Sequence, residues 1–313
     1  MFIKLITLFT DVIVFSYFLL WRTLVSKKLI ILSNRYGNIG NQLYMSGFLV
    51  NWSYAFNALT INYGLVGYQN CFQHLRNDFL IRFPSCKDIN HPLSNILLKI
   101  FSQSANRISL RFINSKIFSI YSHDLLTINT DIDYQTTLRK ILKANIIFVR
   151  GFIRHRSYND IIDFHSIIKK HYKPASELQN KITEPIKKLS QSDVIIGVAI
   201  RQGDYRNWKD GRYFLETKTY IRWMIEIKKF FKNESVGFFI ASDEKQDLSL
   251  FCGLNYFFRK GHPISNLYSL SLCDYVISVP SSFVGWAHFI GKIPCLTLDR
   301  KVKKIELNDF KIL

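Results

Sequence analysis

Short apolar runs alternate with amphipathic stretches along most of the 313-residue chain. The clearest run, Val194–Ile200 (VIIGVAI), has the composition of a strand that is buried on both faces. Shorter runs of the same kind predict further strands at Leu29–Ser33, Ala144–Val149, Val236–Ala241, Tyr275–Val279 and Pro294–Leu298. Helical spacing follows them at Leu43–Phe56, Tyr158–His171, Glu177–Leu189, Lys218–Phe231, Asn266–Cys273 and Ser282–Phe289. This alternation predicts an α/β fold with parallel sheets and right-handed crossovers.

The pattern divides into two α/β halves near Lys173-Pro174, because a proline ends the helix that precedes it. We expect a hydrophobic segment at 1–28, a first domain at 29–172 and a second domain at 173–313 that ends in a basic tail. Between 85 and 140 the periodicity is weak, and a mixture of turns and strands is predicted there.

The segment Leu5–Trp21 is apolar apart from Thr7, Thr10, Asp11 and Ser16. It is short for a membrane span, which needs about 20 residues, and Asp11 near its centre adds about 2.5–3.5 kcal/mol to insertion. No small-residue cleavage site follows, so a cleaved signal peptide is not predicted. Three interpretations stay open: a spanning helix, a helix that lies in the membrane interface, and a helix packed on the folded body. If the helix spans, the basic residues after it place the rest of the chain in the cytoplasm.

Lysine and arginine together number 42 against 23 acidic residues, which gives a formal net charge of +19. This excess indicates an anionic partner: a nucleic acid, a membrane surface or a phosphorylated small molecule. The basic residues are scattered along the chain and no nucleic-acid recognition motif is present, so we expect no nucleic-acid partner.

Five cysteines occur at widely separated positions: Cys71, Cys86, Cys252, Cys273 and Cys295. No CxxC pair exists, so neither a zinc ribbon nor a redox dithiol is predicted. Free thiols without a disulfide framework indicate a reducing compartment, and we expect the protein in the cytoplasm or at the cytoplasmic face of a membrane.

A glycine-containing loop, Asn34–Gln42 (NRYGNIGNQ), joins the first predicted strand to a helix. Glycine lets a backbone approach a ligand, and the N-terminus of a helix offers free N–H groups to an anion. The loop matches neither GxGxxG nor GxxxxGK[ST], so it indicates neither a nicotinamide site nor a Walker-type kinase. Taken alone, a loop of this kind more often only turns the chain.

Three predicted strands of the second half end in polar side chains. Arg201 follows the first and suits bidentate contact with phosphate, and Asp243 follows the next. Ser281 and Ser282 follow the third, where a helix begins, and can cap that helix or hold an anion. Ligands bind at the carboxyl ends of parallel strands, so these groups and the glycine loop together predict a nucleotide in a cleft between the two domains. Each group taken singly also fits an ion pair or a helix cap.

Taken in order, the segments NIGNQ, GFIRHRSY, IRQGDY, FFIASDE and LYSLSLCDYVISVPSSFVGWA resemble the alpha-1,2-fucosyltransferase family, which is glycosyltransferase family 11, and its relatives. The resemblance runs from about Ile30 to Leu298. It implies a GT-B fold, with two Rossmann-like domains facing a nucleotide-sugar cleft, and an inverting enzyme that uses GDP-fucose. The chain departs from the family where Ala199 replaces the histidine of His-x-Arg-x-Gly-Asp, and it matches the late Phe-x-Trp-Trp motif only in part.

The resemblance also assigns roles to matching positions. Arg201 would contact the β-phosphate and Asp243 the guanine base, and Asp204 is a candidate general base that also suits a structural role beside Arg201. The two serines would hold phosphate oxygens. The segment Gly40-Asn41-Gln42 would close over the sugar diphosphate.

Metal binding is not predicted. Asp131-Ile132-Asp133 has the DxD pattern of metal-dependent transferases, but no apolar strand precedes it, and a solvated turn is favoured. His155, His165 and His171 lack the spacing of a zinc motif. The resemblance implies a GT-B enzyme in which arginine and helix N-termini take the place of a metal at the departing diphosphate, so we expect no cofactor.

The function expected from these observations is transfer of fucose from GDP-fucose to a saccharide hydroxyl with inversion, in the synthesis of cell-surface glycans such as lipopolysaccharide. The family implies that the acceptor can be carried on a lipid, which would bring the enzyme to a membrane surface. Two alternatives stay open: a GT-B transferase of another nucleotide sugar, and a basic protein that binds saccharide or nucleic acid without catalysis.

Overall fold

The computed structural model describes residues 2–25, 27–84, 92–112, 120–302 and 304–312. The chain divides into two compact units, Met1–Lys173 and Pro174–Leu313. Cys86 lies outside the described residues, and Cys252, Cys273 and Cys295 are free thiols.

The first unit contains the strands β1 (Lys28–Leu32), β2 (Ala58–Asn62), β3 (Arg82–Phe83), β4 (Ile120–Asp124) and β5 (Ile146–Arg150). Its helices are α1 (Phe2–Val25), α2 (Ile39–Ala55), α3 (Ser94–Arg111), α4 (Asp131–Lys143) and α5 (His165–His171). The strand order is β3-β2-β1-β5-β4, and β3 alone runs antiparallel to its neighbour among these described strands. Helix α2 is buried on most of its surface, as expected for a helix that is apolar all round.

The second unit contains the strands β6 (Val194–Ile200), β7 (Val236–Ser242), β8 (Tyr256–Arg259), β9 (Tyr275–Ser278) and β10 (Cys295–Thr297). Its helices are α6 (Ser176–Lys188), α7 (Thr217–Lys228), α8 (Pro263–Leu270) and α9 (Ser282–Gly291). The strand order is β10-β9-β6-β7-β8, and every pair is parallel. All seven residues of the central strand β6 are buried, which explains why its apolar run is uninterrupted.

Helix α7 shows how the core of the second unit forms. Tyr220, Trp223 and Ile227 lie three and four residues apart on one face of the helix, and all three are fully buried. They pack with Phe238 and Ile240, which alternate along β7 and therefore point to the same side of the sheet. Burying a large apolar side chain contributes about 1.5–3 kcal/mol, so this layer fixes the sheet that carries the strand ends.

The predicted α/β fold with parallel sheets is confirmed, with three local corrections. The first sheet is mixed, because β3 enters it antiparallel. The stretch predicted as a helix over Tyr158–His171 is a 3-10 turn, Tyr158–Phe164, followed by α5. Between 85 and 140, the described part holds the helices α3 and α4 as well as β4.

Candidate functional site

The register of the second sheet brings the predicted strand ends to one edge. Ile200 at the end of β6 pairs with Ser242 of β7, and Ala199 pairs with Ser278 of β9. Arg201 and Asp243 therefore leave neighbouring strands at the same level. The loop that leads to Ser281 begins beside them.

The Arg201 side chain lies between two carboxylates. Its Nη2 donates to Oδ1 of Asp204 at 2.8 Å, and its Nε lies 3.4 Å from Oδ2 of Asp243. The guanidinium carbon is 5.5 Å from the ring centre of Tyr205, within the range of a cation–π contact. Arg201 is partly exposed, so its remaining N–H groups can be reached by a ligand. The structure thus places Arg201 at this edge of the sheet, and its predicted contact with phosphate stays a prediction.

Asp243 also binds the backbone of the loop that carries Arg201, a structural role that the sequence did not indicate. Its Oδ1 accepts the backbone N–H of Gln202 at 3.0 Å, and its Oδ2 accepts that of Gly203 at 3.1 Å. A Cβ atom at Gly203 would lie 3.1 Å from the same Oδ2, so a larger residue would have to move the carboxylate by a few tenths of an ångström. The carboxylate thus fixes the loop that carries Arg201. Its predicted contact with guanine stays a prediction.

Buried amides fix the same loop from its inner side. The Nε2 atom of Gln202 donates to the carbonyl of Leu215 at 2.9 Å, and its Oε1 accepts from Nε2 of Gln246 at 2.9 Å. Thr217 donates to Oε1 of Gln246 at 2.6 Å, which closes the network. Because these buried polar groups are paired, they hold the backbone in one arrangement. Sequence reasoning did not find them, since Gln202 occupies an unspecified position of the IRQGDY segment and Gln246 lies in no motif.

Tyr205 joins this loop to the one after β9. Its hydroxyl donates to the carbonyl of Pro280 at 2.7 Å, while its ring faces Arg201. Burial raises the pKa of the Tyr205 phenol, so the hydroxyl stays a donor. The residue lies inside the IRQGDY segment but was not selected from the sequence, because a tyrosine beside a glycine turn is an ordinary packing residue.

Helix α9 begins directly after that carbonyl. Ser281 is its N-cap, and the Ser281 hydroxyl accepts the backbone N–H of Phe283 at 3.2 Å. Ser281 and Ser282 are both partly exposed. Ser281 therefore caps helix α9, as one of its two sequence interpretations predicted. The exposed first turn of α9 still offers positive potential to an anion.

The segment after Tyr205 carries aromatic and basic side chains along the same loop. The ring of Trp208 stacks on Tyr205 at 5.1 Å and lies 5.4 Å from that of Tyr213. Lys209, Asp210 and Gly211 follow with positive φ angles of 49°, 56° and 66°. Two non-glycine residues in this region cost about 1–3 kcal/mol each, and such strain is found near functional sites.

The glycine loop predicted to cover the sugar diphosphate lies in the first unit. Gly40, Asn41 and Gln42 form the first turn of α2. The Gln42 side chain is buried, and its Nε2 donates to the carbonyl of Tyr36 at 2.5 Å. Gly37 has φ +64°, which permits the turn that brings that carbonyl into reach. The buried Gln42 side chain thus holds the loop in place. A contact of Gly40, Asn41 and Gln42 with the nucleotide-sugar donor remains a prediction.

The Asp131-Ile132-Asp133 segment lies in the first turn of α4, so the predicted solvated turn is corrected to a helix start. Thr130 and Asp133 form a capping box there. Asp131 pairs with Arg156 at 2.7 Å and with His155 at 3.2 Å. Among the described residues, no group of three histidine, cysteine or acidic side chains could hold a metal ion.

Comparisons with known proteins agree with this architecture. The profile of glycosyl transferase family 11 matches residues 147–301, just under half of the chain. No curated protein matches the chain.

Solved structures share the fold at low sequence identity. A mutant of Arabidopsis thaliana FUT1 in complex with GDP has a TM-score of 0.54 and 13% identity, over 88% of this chain and 71% of that one. The fucosyltransferase NodZ from Bradyrhizobium has a TM-score of 0.51 and 16% identity, over 88% and 95%. NodZ alpha-1,6-fucosyltransferase co-crystallized with GDP has a TM-score of 0.50 and 17% identity, over 87% and 95%.

Two α/β units built on a mixed and a parallel sheet match these GT-B-like structures, and the fold prediction is confirmed. The family profile supports glycosyltransferase activity for this chain, and the shared fold extends over most of its length.

Proposed function

We propose that this protein is an inverting alpha-1,2-fucosyltransferase that moves fucose from GDP-fucose to a saccharide hydroxyl. One observation carries the proposal: Arg201, held by Asp243, lies at the carboxyl edge of a parallel sheet and is linked through Tyr205 to the loop before α9. A guanidinium beside a helix N-terminus suits a diphosphate. GDP is the ligand in two of the similar solved structures.

The chemistry follows from the charges that change during the reaction. The bond between the fucose anomeric carbon and the phosphate oxygen breaks, and the acceptor oxygen bonds to that carbon from the opposite face. The leaving GDP gains negative charge, which Arg201 and the first N–H groups of α9 would stabilise. Removing one such donor typically costs about 10²–10³ in rate.

The acceptor must lose a proton during the same step. Asp204 is the candidate base in this proposal, since its carboxylate is half-exposed and lies beside Arg201. The acceptor hydroxyl would pass its proton to this carboxylate as its oxygen bonds to the sugar. The pairing of Oδ1 with Arg201 leaves a positioning role as the competing assignment.

A second donor class is supported by one residue. Ala199 is buried in β6 and offers no hydrogen-bonding side chain where the family pattern has histidine. A transferase of another nucleotide sugar, with the same Arg201 and α9 groups on its diphosphate, is consistent with that change.

The compartment and acceptor complete the proposal. Cys252, Cys273 and Cys295 are free thiols, which suits a reducing cytoplasm. The acceptor would be a saccharide of a cell-surface glycan such as lipopolysaccharide, and no metal would be needed.

Nucleotide binding tests the proposal first. We expect the melting temperature of the protein to rise with GDP, with and without EDTA, and to rise much less with UDP or ADP. Equal shifts with UDP would favour the second donor class, and no shift with any nucleoside diphosphate would refute the proposal. Turnover of GDP-fucose on a saccharide panel, with the linkage of the product read by NMR, then tests inversion and the alpha-1,2 bond.

A further inference from the structure

Helix α1 has two faces of opposite character. One face packs on the first unit: Val14 and Phe18 are fully buried, and Phe18 contacts the rings of Phe101 and Phe148. On the same face Asp11 is only 1% exposed.

Asp11 ties α1 to α3 through two arginines. Its Oδ1 accepts from Nε and Nη2 of Arg107 at 2.9 and 2.6 Å, and its Oδ2 lies 3.0 Å from Nη1 of Arg111. Asp11, the acidic residue of this apolar segment, is therefore paired through both of its carboxylate oxygens. Removing α1 from α3 would leave these charges without their partners, so the helix is part of the folded unit.

The opposite face of α1 is apolar and open to solvent. Phe9 is 67% exposed and Ile13 51% exposed, near the middle of this face. The exposed face, as the term is used below, consists of Leu5, Ile6, Leu8, Phe9, Val12, Ile13, Leu20 and Leu24, all about half or more exposed. A contiguous apolar patch of this kind on a soluble domain marks an interaction surface.

Basic side chains lie at the two ends of the exposed face and on the neighbouring helix α3. Lys4 near the start of α1 and Lys27 just after its end are exposed, and Arg107 and Arg111 are one-third and one-half exposed beside Asp11. The chain as a whole carries a net charge of +19. An apolar strip flanked by cations complements a surface that is apolar inside and anionic outside, which is the chemistry of an acidic lipid headgroup layer.

Length and composition alone would let Lys4–Val25 cross a membrane, with a mean hydropathy of 1.6. The contacts of Asp11 argue against crossing, because a spanning orientation would carry Arg107 and Arg111 into the hydrocarbon with it. We infer that α1 instead lies in the plane of an anionic lipid surface, with its exposed face inserted and Asp11 still bound to α3. This inference is independent of the proposed function, because it concerns binding and needs no substrate.

Vesicle binding by the full chain tests the inference. The parent protein is mixed with phosphatidylcholine vesicles, with and without about 30% phosphatidylglycerol, and sedimented at about 50 and about 500 mM salt. The test variant is Phe9→Asp with Ile13→Asp. The matched control is Ile132→Asp with Ile225→Asp, which places the same charges at exposed apolar positions of α4 and α7.

We expect binding to the anionic vesicles, at least about tenfold weaker on neutral vesicles or at high salt. The Phe9 and Ile13 double variant should lose at least about tenfold of the partition coefficient and keep the parent melting temperature, while the control double variant binds like the parent. Sodium carbonate should release the bound protein.

Three results would overturn the inference. The first is equal vesicle binding by the two double variants. The second is bound protein that resists carbonate, which would indicate a spanning helix. The third is a parent dimer in light scattering that the Phe9 and Ile13 double variant dissociates while vesicle binding is absent, which would assign the exposed face to a second copy of the chain.

Discussion

Replacing Asp243 with asparagine separates two roles that one carboxylate can have at this site. The carboxylate accepts backbone N–H groups from Gln202 and Gly203 and faces Arg201 at 3.4 Å. Asparagine has one acceptor oxygen, so one of the two N–H groups must lose its partner. Leaving a buried donor unpaired costs about 1–3 kcal/mol, and the lower part of that range applies because Asp243 is partly exposed to water.

We therefore expect Asp243→Asn to lower the free energy of unfolding by about 1–2 kcal/mol. At about 2–4 °C per kcal/mol for a domain of this size, the melting temperature should fall by about 2–8 °C. GDP affinity should fall as well, because the loop that carries Arg201 is no longer fixed. Scanning calorimetry and isothermal titration with GDP measure the two effects on the same sample.

The outcome distinguishes loop positioning from base recognition. A variant that melts like the parent but loses GDP affinity, with UDP affinity unchanged, would refute positioning and support a direct contact with guanine. A variant that changes in neither respect would refute both roles. Glu234→Gln, which removes a negative charge at an exposed carboxylate elsewhere in the second unit, is a control for the change of charge and should leave GDP affinity unchanged.

Three further predictions follow from individual contacts. Arg201→Lys should lower kcat/KM by at least about 10²-fold, because a lysine lacks the planar guanidinium that binds phosphate through two N–H groups. The control Arg222→Lys should leave kcat/KM unchanged. Steady-state kinetics measure both, and near-normal turnover by Arg201→Lys would show that Arg201 does not bind the phosphate. Tyr205→Phe should cost about 0.5–1.5 kcal/mol in urea unfolding, since the hydrogen bond to the Pro280 carbonyl is lost, and should raise KM for the donor. Burial and the neighbouring His74 lower the pKa of His171 to about 4. Because the native state holds this ring neutral, its contribution is present above about pH 6.5 and is lost as the pH falls toward 4, by up to about 3 kcal/mol. His171→Phe should flatten that part of the urea stability profile, and an unchanged profile would show that other groups control acid unfolding.

The sequence predicts those elements whose pattern is set by burial on all sides. Strand β6 is found at its observed bounds because every one of its residues is apolar or glycine and buried. Strand β8 was not predicted, since Tyr256–Arg259 is a short, half-buried edge strand after an irregular stretch. In α3 the buried positions do follow a helical period, but exposed apolar residues such as Ile96 and Leu110 obscure it.

The candidate site also has features that the sequence could predict and features that it could not. That Arg201, Asp243 and Ser281 share an edge could be predicted, because parallel strands end at one side of a sheet. The hydrogen bonds that fix these residues in place could not be predicted. Asp243 reaches backbone groups 40 and 41 residues away, and Tyr205 reaches a carbonyl 75 residues away. Such contacts depend on loop conformations for which composition and periodicity carry no signal.

The pairing of Arg201 with Asp204 has a consequence for which anions the site retains. An anion that binds through Nη2 of the guanidinium must displace a carboxylate that is already in contact at 2.8 Å, so this part of the site contains its own competitor. Chloride or inorganic phosphate gains little by that exchange, because each replaces one charged contact with another. A nucleoside diphosphate adds contacts with the base, the sugar and the start of a helix, and the exchange then becomes favourable. The internal counter-ion thus favours a nucleoside diphosphate over simple anions such as chloride and inorganic phosphate.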